Sequence, residues 1–254
     1  MALPKYHWLR DKPDSRDKMF VPKVAALAPS VDLRANCSGI EDQGNLGSCT
    51  GNAIAGIVEY LCRKAKKSTE VSRLFIYYQE RVIEGDVPYD NGAYIRDGIK
   101  ACNKYGVCTE PLWPYVEARF AARPSQAAYI NALTRKAVAY QKCANFTAVK
   151  SAIASGYPVV IGFDVYDSFE SGTWWQPSGS GIMPYPNKHT EQLLGGHAIA
   201  LVGYNDAIGG GCFIGRNSWG TGWGQQGYFY MPYTVIQDTS MSDDFWIITS
   251  ITNP

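Results

Sequence analysis

The sequence predicts an α+β fold with two unlike halves, a helical half followed by a β half. Two observations lead to this prediction. Between Ser48 and about residue 155 the apolar residues recur at helical spacing, whereas after Gly156 the chain consists of short β-branched and aromatic runs separated by Gly, Asn and Pro. At 254 residues the chain can bury a sizeable core, either as one large domain or as two lobes that share a cleft. A ligand site between two such halves is a common outcome.

The helical half begins with an amphipathic pattern that starts at Ser48. Ile54, Ile57, Val58 and Leu61 follow one another at i, i+3, i+4 and i+7, and basic residues close the pattern, where they complement the helix dipole. Further helices are predicted over roughly residues 70–84, 94–104, 125–138 and 147–155.

The β half is predicted from four apolar runs of strand length. These runs read PVVIGFDVY, HAIALVGYN, GCFIGRNSW and YFYMPY. Such runs, punctuated by turn residues, are typical of an antiparallel sheet.

Composition excludes several classes of function. A net charge of +1 gives no basis for binding nucleic acid or an anionic membrane, and no apolar run approaches the roughly 18–20 residues that span a bilayer. The seven cysteines include no CxxC pair, which argues against a zinc site, so we expect no metal and no cofactor. The N-terminus lacks the apolar core of a signal peptide, which leaves a cytoplasmic location, export by another route, or a leader that the given sequence does not include. We expect a monomer.

Residues 1–26 are predicted to form an extension that precedes the main domain. They carry six basic and three acidic side chains and show little periodicity. They are too short to fold as a separate domain, so either they act as a short pro-segment that covers the active site or they form a flexible terminus. The main domain is predicted to occupy residues 27–254.

Cys49 lies in the polar, glycine-rich stretch EDQGNLGSCTGN, at the start of the first predicted helix. Unpaired backbone N–H groups and the positive end of the dipole stabilise a thiolate there, so the sequence predicts a lowered pKa and a nucleophilic cysteine. A small buried apolar residue is the usual alternative for a free cysteine. The polar residues that precede Cys49 disfavour that alternative. Cys62 lies on the apolar stripe of the same helix and fits it well.

A nucleophilic cysteine needs a base, and the chain has three histidines. His7 lies in the extension and His189 in a polar loop. His197 opens the predicted strand HAIALVGYN directly after Gly195 and Gly196. A lone histidine is more often structural than catalytic, but its place at the start of a rigid strand favours His197 as the base.

A third polar motif, Asn217-Ser218-Trp219-Gly220, follows the next predicted strand. An asparagine side chain can accept the second imidazole N–H and orient the ring without adding charge. Trp219 could lie over that hydrogen bond and exclude water from it. A turn in a glycine-rich hairpin is the alternative for any one of these residues.

Taken in order, these motifs resemble the papain family of cysteine peptidases. In that family the motif C-G-[SA]-C-[WY] carries the cysteine, and a histidine and an asparagine follow roughly 130–150 residues later. Here His197 lies 148 residues after Cys49, and Asn217 lies 168 residues after it. Gln43 is similar to the family's oxyanion-hole donor. The resemblance implies a papain-like two-lobe fold with a helical N-terminal lobe (about 35–125), a β-barrel-like antiparallel C-terminal lobe (about 126–254) and an active-site cleft between them.

The resemblance also implies how a peptide or protein substrate is held. Asn91, Gly92 and Ala93 are similar to the family's Asn-Gly-Gly stretch, which binds the substrate backbone as an extended strand. The carbonyl of Gly196 is a second expected backbone contact. Trp219 is expected to screen the histidine–asparagine pair at the edge of the cleft.

The activity implied is that of a cysteine endopeptidase working through an acyl-enzyme. The same triad could serve an exopeptidase, a peptide ligase or an acyltransferase, and a non-catalytic peptide-binding module is the alternative outside enzymes. Three departures from the family stand out: Leu46 in place of a disulfide cysteine, Thr50 in place of an aromatic residue and Ala93 in place of glycine. None of them removes a catalytic group, and the missing disulfide fits a divergent branch that is bacterial-type or otherwise belongs to a reducing compartment.

Overall fold

The structure, a computed structural model, describes residues 6–22 and 26–254. Residues 1–5 and 23–25 of the predicted extension lie outside the described residues. The helices are α1 (Cys49–Lys64), α2 (Arg73–Glu84), α3 (Ile95–Lys104), α4 (Gln126–Ala132), α5 (Phe146–Ala154), α6 (Asp167–Glu170) and α7 (Tyr233–Gln237). Helices dominate before residue 155 and strands after it, which confirms the α+β prediction.

Nine strands are present in the described part of the chain. They are β1 (Trp8–Leu9), β2 (Ser30–Asp32), β3 (Ala93–Tyr94), β4 (Ala137–Lys142), β5 (Val159–Tyr166), β6 (Leu193–Asn205), β7 (Cys212–Arg216), β8 (Tyr228–Pro232) and β9 (Ser242–Ile251). Seven of them form one sheet in the order β4-β9-β5-β6-β7-β8, with β2 also paired to β6. All pairings within this sheet are antiparallel, and over the described residues it is an open sheet rather than the barrel-like structure that the sequence predicted.

Helix α1 is the central helix of the molecule and packs on the sheet as well as on α2 and α3. Its predicted apolar stripe is buried, with Ile54, Ile57 and Leu61 all in the core. Gly51 allows the close packing of α1 on α2. A Cβ at Gly51 would lie 2.9 Å from the carbonyl oxygen of Arg73 on α2, so a larger residue would separate the two helices.

Helix α2 has the ends that its sequence favours. The side chain of Ser72 accepts a hydrogen bond from the backbone N–H of Phe75 at 3.1 Å, which caps the first turn. Gly85 ends the helix in the left-handed conformation, at φ 74°.

Two segments differ from the sequence prediction. The predicted helix over 125–138 ends at Ala132, and the chain then forms β4, a strand that pairs with β9. The segment 242–251, for which the sequence analysis predicted no strand, is β9 and lies between β4 and β5 in the sheet. In both cases pairing with a distant strand decides the conformation, since β propensity depends strongly on the neighbours that a strand finds.

The seven cysteines all lie within the described residues, and none of them forms a disulfide. Leu46, which stands where the family usually has a disulfide cysteine, is buried in an apolar cluster with Leu74, Phe75 and Trp113. Apolar packing therefore holds this loop.

Across the described residues, none of the helices has both the length and the apolar character needed to cross a membrane.

Candidate active site

Cys49 is the first residue of α1 and is fully buried. The loop before it is attached to the chain that follows β7. The backbone N–H of Gln43 donates to the carbonyl of Ser218 at 2.9 Å, and Asp42 forms an isolated β-bridge with Trp219. These contacts bring the Gln43 loop and the Trp219 motif together, although about 175 residues of chain separate them.

The side chain of Gln43 is buried and held at both ends. Its Oε1 accepts a hydrogen bond from the Ser218 hydroxyl at 2.7 Å, and its Nε2 donates to the carbonyl of Leu46 at 2.9 Å. These two contacts determine the orientation of the amide. Since an amide nitrogen carries two N–H bonds, one of them remains for another acceptor.

His197 lies on β6 opposite Phe163 of β5 and is fully buried. Its Nε2 is 2.8 Å from Oδ1 of Asn217, which also accepts a hydrogen bond from the backbone N–H of Ser218. The ring of Trp219 lies over the pair, with 4.9 Å between the imidazole and indole centroids. Nδ1 of His197 has no hydrogen-bond partner among the described residues.

The thiol of Cys49 lies next to this group, because the backbone N–H of Ala198, the residue after His197, interacts with it. Burial raises the pKa of the thiol to about 12, and the backbone N–H groups of Ala198 and His7 only partly offset that effect. Burial also lowers the pKa of His197 to about 4, against the opposing effect of Asn217. Both groups are therefore neutral in this structure, and the lowered cysteine pKa predicted from the helix dipole is wrong for this covered state.

The segment that covers the site is the predicted extension itself. His7 forms a parallel β-bridge with Gly196, and Trp8 pairs in parallel with Ala93. The backbone N–H of Ala93 donates to the carbonyl of His7 at 3.2 Å. The backbone positions that the family resemblance implies for a substrate strand are thus occupied by residues 7–9 of the same chain.

Glycines make room for this segment on both sides. A Cβ at Gly92, whose φ is 81°, would lie 1.7 Å from the carbonyl oxygen of His7, and one at Gly47 would lie 2.9 Å from its side chain. Asn91 is exposed instead, and its side chain donates to Asp86 at 2.9 Å. Of the three predicted strand-binding residues, Gly92 and Ala93 therefore contact the segment through the backbone, whereas the side chain of Asn91 is engaged in its own loop.

Trp8 fills the space beside Cys49 and is 4% exposed. A Cβ at Gly162 would lie 1.9 Å from its ring, and one at Gly196 would lie 2.5 Å from its carbonyl oxygen. Trp8 belongs to the same buried apolar cluster as Cys49 and Ala198. The absence of side chains at the two glycines therefore creates a pocket the size of an indole.

Beyond Trp8 the segment is anchored by charge and hydrogen bonds. The carboxylate of Asp11 is buried and accepts a hydrogen bond from the indole N–H of Trp246 at 2.9 Å and one from the backbone N–H of Arg96 at 3.2 Å. The backbone N–H of Asp11 donates to Asp244 at 2.7 Å, and the Arg96 guanidinium pairs with Asp17 at 2.7 Å. No sequence motif pointed to Tyr6, Trp8 or Asp11 as residues of the site, and their only signal was the alternation of the two aromatic residues Tyr6 and Trp8.

The geometry is that of a buried cysteine beside a histidine–asparagine pair, and comparisons with known proteins agree with it. The family described as "Papain family cysteine protease" matches residues 27–247 of this chain.

No group of three or more His, Cys, Asp or Glu side chains that could hold a metal ion is found within the described ranges.

Among individual proteins, an uncharacterised peptidase C1-like protein of Acanthamoeba polyphaga mimivirus is 38% identical over 98% of this chain and 88% of its own length. The crystal structure of xylellain, a cysteine protease from Xylella fastidiosa, is similar at a TM-score of 0.88, with 40% identity over 96% of each chain. The structure of procathepsin L 3 from the larval midgut of Tenebrio molitor is 21% identical, at a TM-score of 0.71 over 91% of this chain and 72% of its own, which shows the shared fold.

The family match covers most of the chain, and the fold and the order of the motifs agree with it. The chain belongs to the papain family of cysteine proteases and is a cysteine-type peptidase.

Proposed function

We propose that the chain is an endopeptidase in which Cys49, His197 and Asn217 act as nucleophile, base and orienting residue. The observation that carries this proposal is the 2.8 Å contact between Nε2 of His197 and Oδ1 of Asn217. Asn217 engages one ring nitrogen, which leaves Nδ1 as the nitrogen that can accept the thiol proton. Trp219 covers the pair and limits the access of water to its hydrogen bond.

The reaction follows from these roles. His197 takes the proton of Cys49, and the thiolate attacks the carbonyl carbon of the scissile peptide bond to form a tetrahedral oxyanion. The oxyanion collapses, the C–N bond breaks and the imidazolium gives its proton to the leaving amine. His197 then takes a proton from water, the hydroxide attacks the acyl-enzyme, and the carboxylic acid product leaves as the thiol regains its proton.

Gln43 and the backbone N–H of Cys49 are the proposed donors to the oxyanion. Ser218 and Leu46 already orient the Gln43 amide, so the donor needs no rearrangement during the reaction. Donors placed in advance in a water-poor site are usually the largest electrostatic contribution to catalysis of this kind.

The N-terminal segment is the proposed inhibitor of this site, and its chain direction explains why it is not a substrate. Tyr6 lies against His197, the proton donor to the leaving amine, while Trp8 pairs with Ala93 on the acyl side. A substrate runs from its acyl side towards its leaving-group side, whereas residues 6–8 run the opposite way. In this arrangement the segment blocks the cleft without presenting a peptide bond for attack.

The proposed domain organisation follows from the same argument. Residues 1–26 form the inhibitory segment and residues 27–254 the peptidase domain, with a helical lobe over about 35–125 and a β lobe over about 126–254. Peptides or proteins are the substrates, and activity requires that the segment leave the cleft.

The test uses an epoxide that alkylates the nucleophilic thiol of cysteine peptidases, together with hydrolysis of an unstructured protein substrate. We expect one label per chain, located at Cys49, and no label or hydrolysis after Cys49→Ala. The matched control is Cys37→Ala, because Cys37 is the cysteine that is only partly buried. Label at Cys37 in place of Cys49, or hydrolysis by the Cys49→Ala protein, would overturn the proposal.

A further inference from the structure

The side chain of Tyr6 occupies a subsite that the catalytic mechanism does not use. Its ring makes T-shaped contacts with the rings of His197 and Trp219, each at a centroid distance of 5.9 Å. Its hydroxyl donates a hydrogen bond to Oε1 of Glu170. Burial raises the pKa of this hydroxyl, and the hydrogen bond to the carboxylate raises it further, so the phenol stays protonated and donates.

The walls of this subsite are well defined. A Cβ at Gly195, whose φ is 146°, would lie 2.7 Å from the Cβ of Tyr6, so the glycine backbone forms one side. Trp219 and His197 form the second side, and Glu170 closes the end. The subsite therefore accommodates a flat or extended side chain and meets its tip with a carboxylate.

Glu170 is held in place by the elements around it. It ends the short helix α6, and its backbone carbonyl accepts a hydrogen bond from the indole N–H of Trp175 at 3.3 Å. The preceding residue, Phe169, is buried, and the centroid of its ring lies 5.7 Å from the ring centroids of both Trp219 and Phe229. The backbone that carries the carboxylate is thus part of the aromatic core beside the catalytic histidine.

The carboxylate of Glu170 is also available to a ligand. Within the described ranges no Lys, Arg or His side chain forms an ion pair with Glu170, and Tyr6 is its hydrogen-bond donor. When the segment leaves the cleft, the carboxylate loses that donor. A substrate side chain with its own donor at the tip restores the bond, whereas one without a donor leaves the carboxylate unpaired.

The location of the subsite assigns it to one side of the scissile bond. It adjoins the imidazole that protonates the leaving amine, so its occupant belongs to the leaving-group part of the substrate. We propose that Glu170 is a specificity-determining residue of a leaving-group subsite that selects side chains with a terminal hydrogen-bond donor, namely Tyr, Arg and Lys. The proposal rests on the proposed function, since it takes His197 as the proton donor.

The first test compares peptides that share one acyl part and differ in the first or second residue of the leaving-group part. The pairs are Tyr against Phe and Arg against Met, and the full chain is the enzyme. The segment competes with every peptide alike, so the ratio of two kcat/KM values does not depend on the fraction of open enzyme. A hydrogen bond to a charged acceptor leads us to expect about tenfold preference for Tyr and Arg at one of the two positions.

Two substitutions separate the hydrogen bond from the charge. Glu170→Ala should bring both ratios to about 1, whereas Glu170→Gln keeps an acceptor and should reduce the preference for Arg more than that for Tyr. Glu70→Ala, at an exposed glutamate before α2, is the charge-matched control and should preserve both ratios. Equal rates for Tyr and Phe at both positions, or ratios unchanged by Glu170→Ala, would overturn the proposal.

A second measurement does not need turnover. The segment variants Tyr6→Phe and Tyr6→Phe/Glu170→Ala are compared with Glu170→Ala for the rate at which the epoxide labels Cys49. Each single substitution should speed labelling by about the same factor, roughly tenfold, and the double variant should be no faster than either single variant, because both remove one hydrogen bond. Additive effects, or an unchanged rate for Tyr6→Phe, would contradict the contact. An unlabelled Cys49 would instead show that the proposed function fails.

Discussion

The carbonyl of His7 accepts a hydrogen bond from the backbone N–H of Ala93 at 3.2 Å, which places the N-terminal segment of this peptidase against the strand that we propose binds its substrates. Backbone hydrogen bonds of this kind are the usual means by which an extended peptide adds to a strand edge. The same chain therefore provides both the binding strand and the peptide that occupies it.

Of the residues in the N-terminal segment, Trp8 is expected to contribute most to the free energy that holds the segment in the cleft. Trp8→Ala removes a buried indole, which typically costs about 3–5 kcal/mol, and here the loss should favour release of the segment over unfolding of the domain. We expect Cys49 to be labelled by the epoxide at least about 100-fold faster. Leu9→Ala, at a neighbouring residue that is 36% exposed, is the matched control and should change the rate by less than about threefold. Equal rates for the two variants would contradict the role of Trp8.

The buried carboxyl group of Asp11 should make the binding of the N-terminal segment in the cleft depend on pH. We call the state with the segment bound the closed state, and its formation closure. Burial, together with the neighbouring carboxylate of Asp244, raises the pKa of Asp11 from 3.8 to about 7 in the closed state. The closed state thus binds the proton more tightly than a free segment does. The contribution of Asp11 to closure is complete below about pH 4 and is lost as the pH rises through about 7.

Asp11→Asn isolates this effect, because asparagine resembles the protonated acid and does not titrate. The ratio of the Cys49 labelling rates of the unmodified chain and of Asp11→Asn cancels the pH dependence of the thiol itself. We expect this ratio to rise between pH 4 and pH 8. Asp14→Asn is the control, because a hydrogen bond from Arg16 lowers the pKa of Asp14 below its usual range. The ratio of the labelling rates of the unmodified chain and of Asp14→Asn should therefore stay constant over the same pH range. A ratio that falls with pH for Asp11→Asn would show that the sign is wrong.

Gln43→Ala should reduce catalysis without preventing the attack on an epoxide. Loss of one oxyanion-hole donor typically lowers kcat by about 10²–10³-fold. The epoxide reaction forms no tetrahedral oxyanion at a carbonyl carbon, so labelling of Cys49 should be nearly unchanged. Asn45→Ala, at an exposed residue of the same loop, is the control for both measurements. If kcat and the labelling rate fell together, Gln43 would act through the position of the loop instead.

Asn217→Ala should affect the proton transfer that we propose for His197. Without its partner at Nε2 the imidazole loses its orientation, and we expect kcat to fall by about 100-fold at neutral pH. The pH profile of kcat/KM should shift as well, because Asn217 raises the pKa of His197 against the effect of burial. Asn205→Ala, at the far end of β6, is the matched control. A loss of activity with an unchanged pH profile would indicate a structural role only.

The local patterns of the sequence were enough for most of the elements. The apolar stripe of α1 and the strand-like runs of β5 to β8 follow from short-range periodicity and turn chemistry. β4 and β9 were missed because their conformation depends on pairing with each other, and no local pattern records that. The barrel-like sheet was expected from the family resemblance, and the open order of the seven strands replaces it.

For the site, the sequence by itself determined the candidate residues: a cysteine at a helix start, a histidine after two glycines, and the glutamine and asparagine that accompany them are recognisable from residue type and spacing. The predicted strand start at His197 was wrong, because β6 already begins at Leu193. Only the tertiary structure decided the state of these candidate residues. The segment that carries Tyr6, Trp8 and Asp11 lies in the cleft, because Gly92, Gly162 and Gly196 leave room for it and Trp246 and Arg96 bind its carboxylate. Its burial of Cys49 and His197 keeps both neutral, since desolvation outweighs the backbone hydrogen bonds to Cys49 and the hydrogen bond between His197 and Asn217.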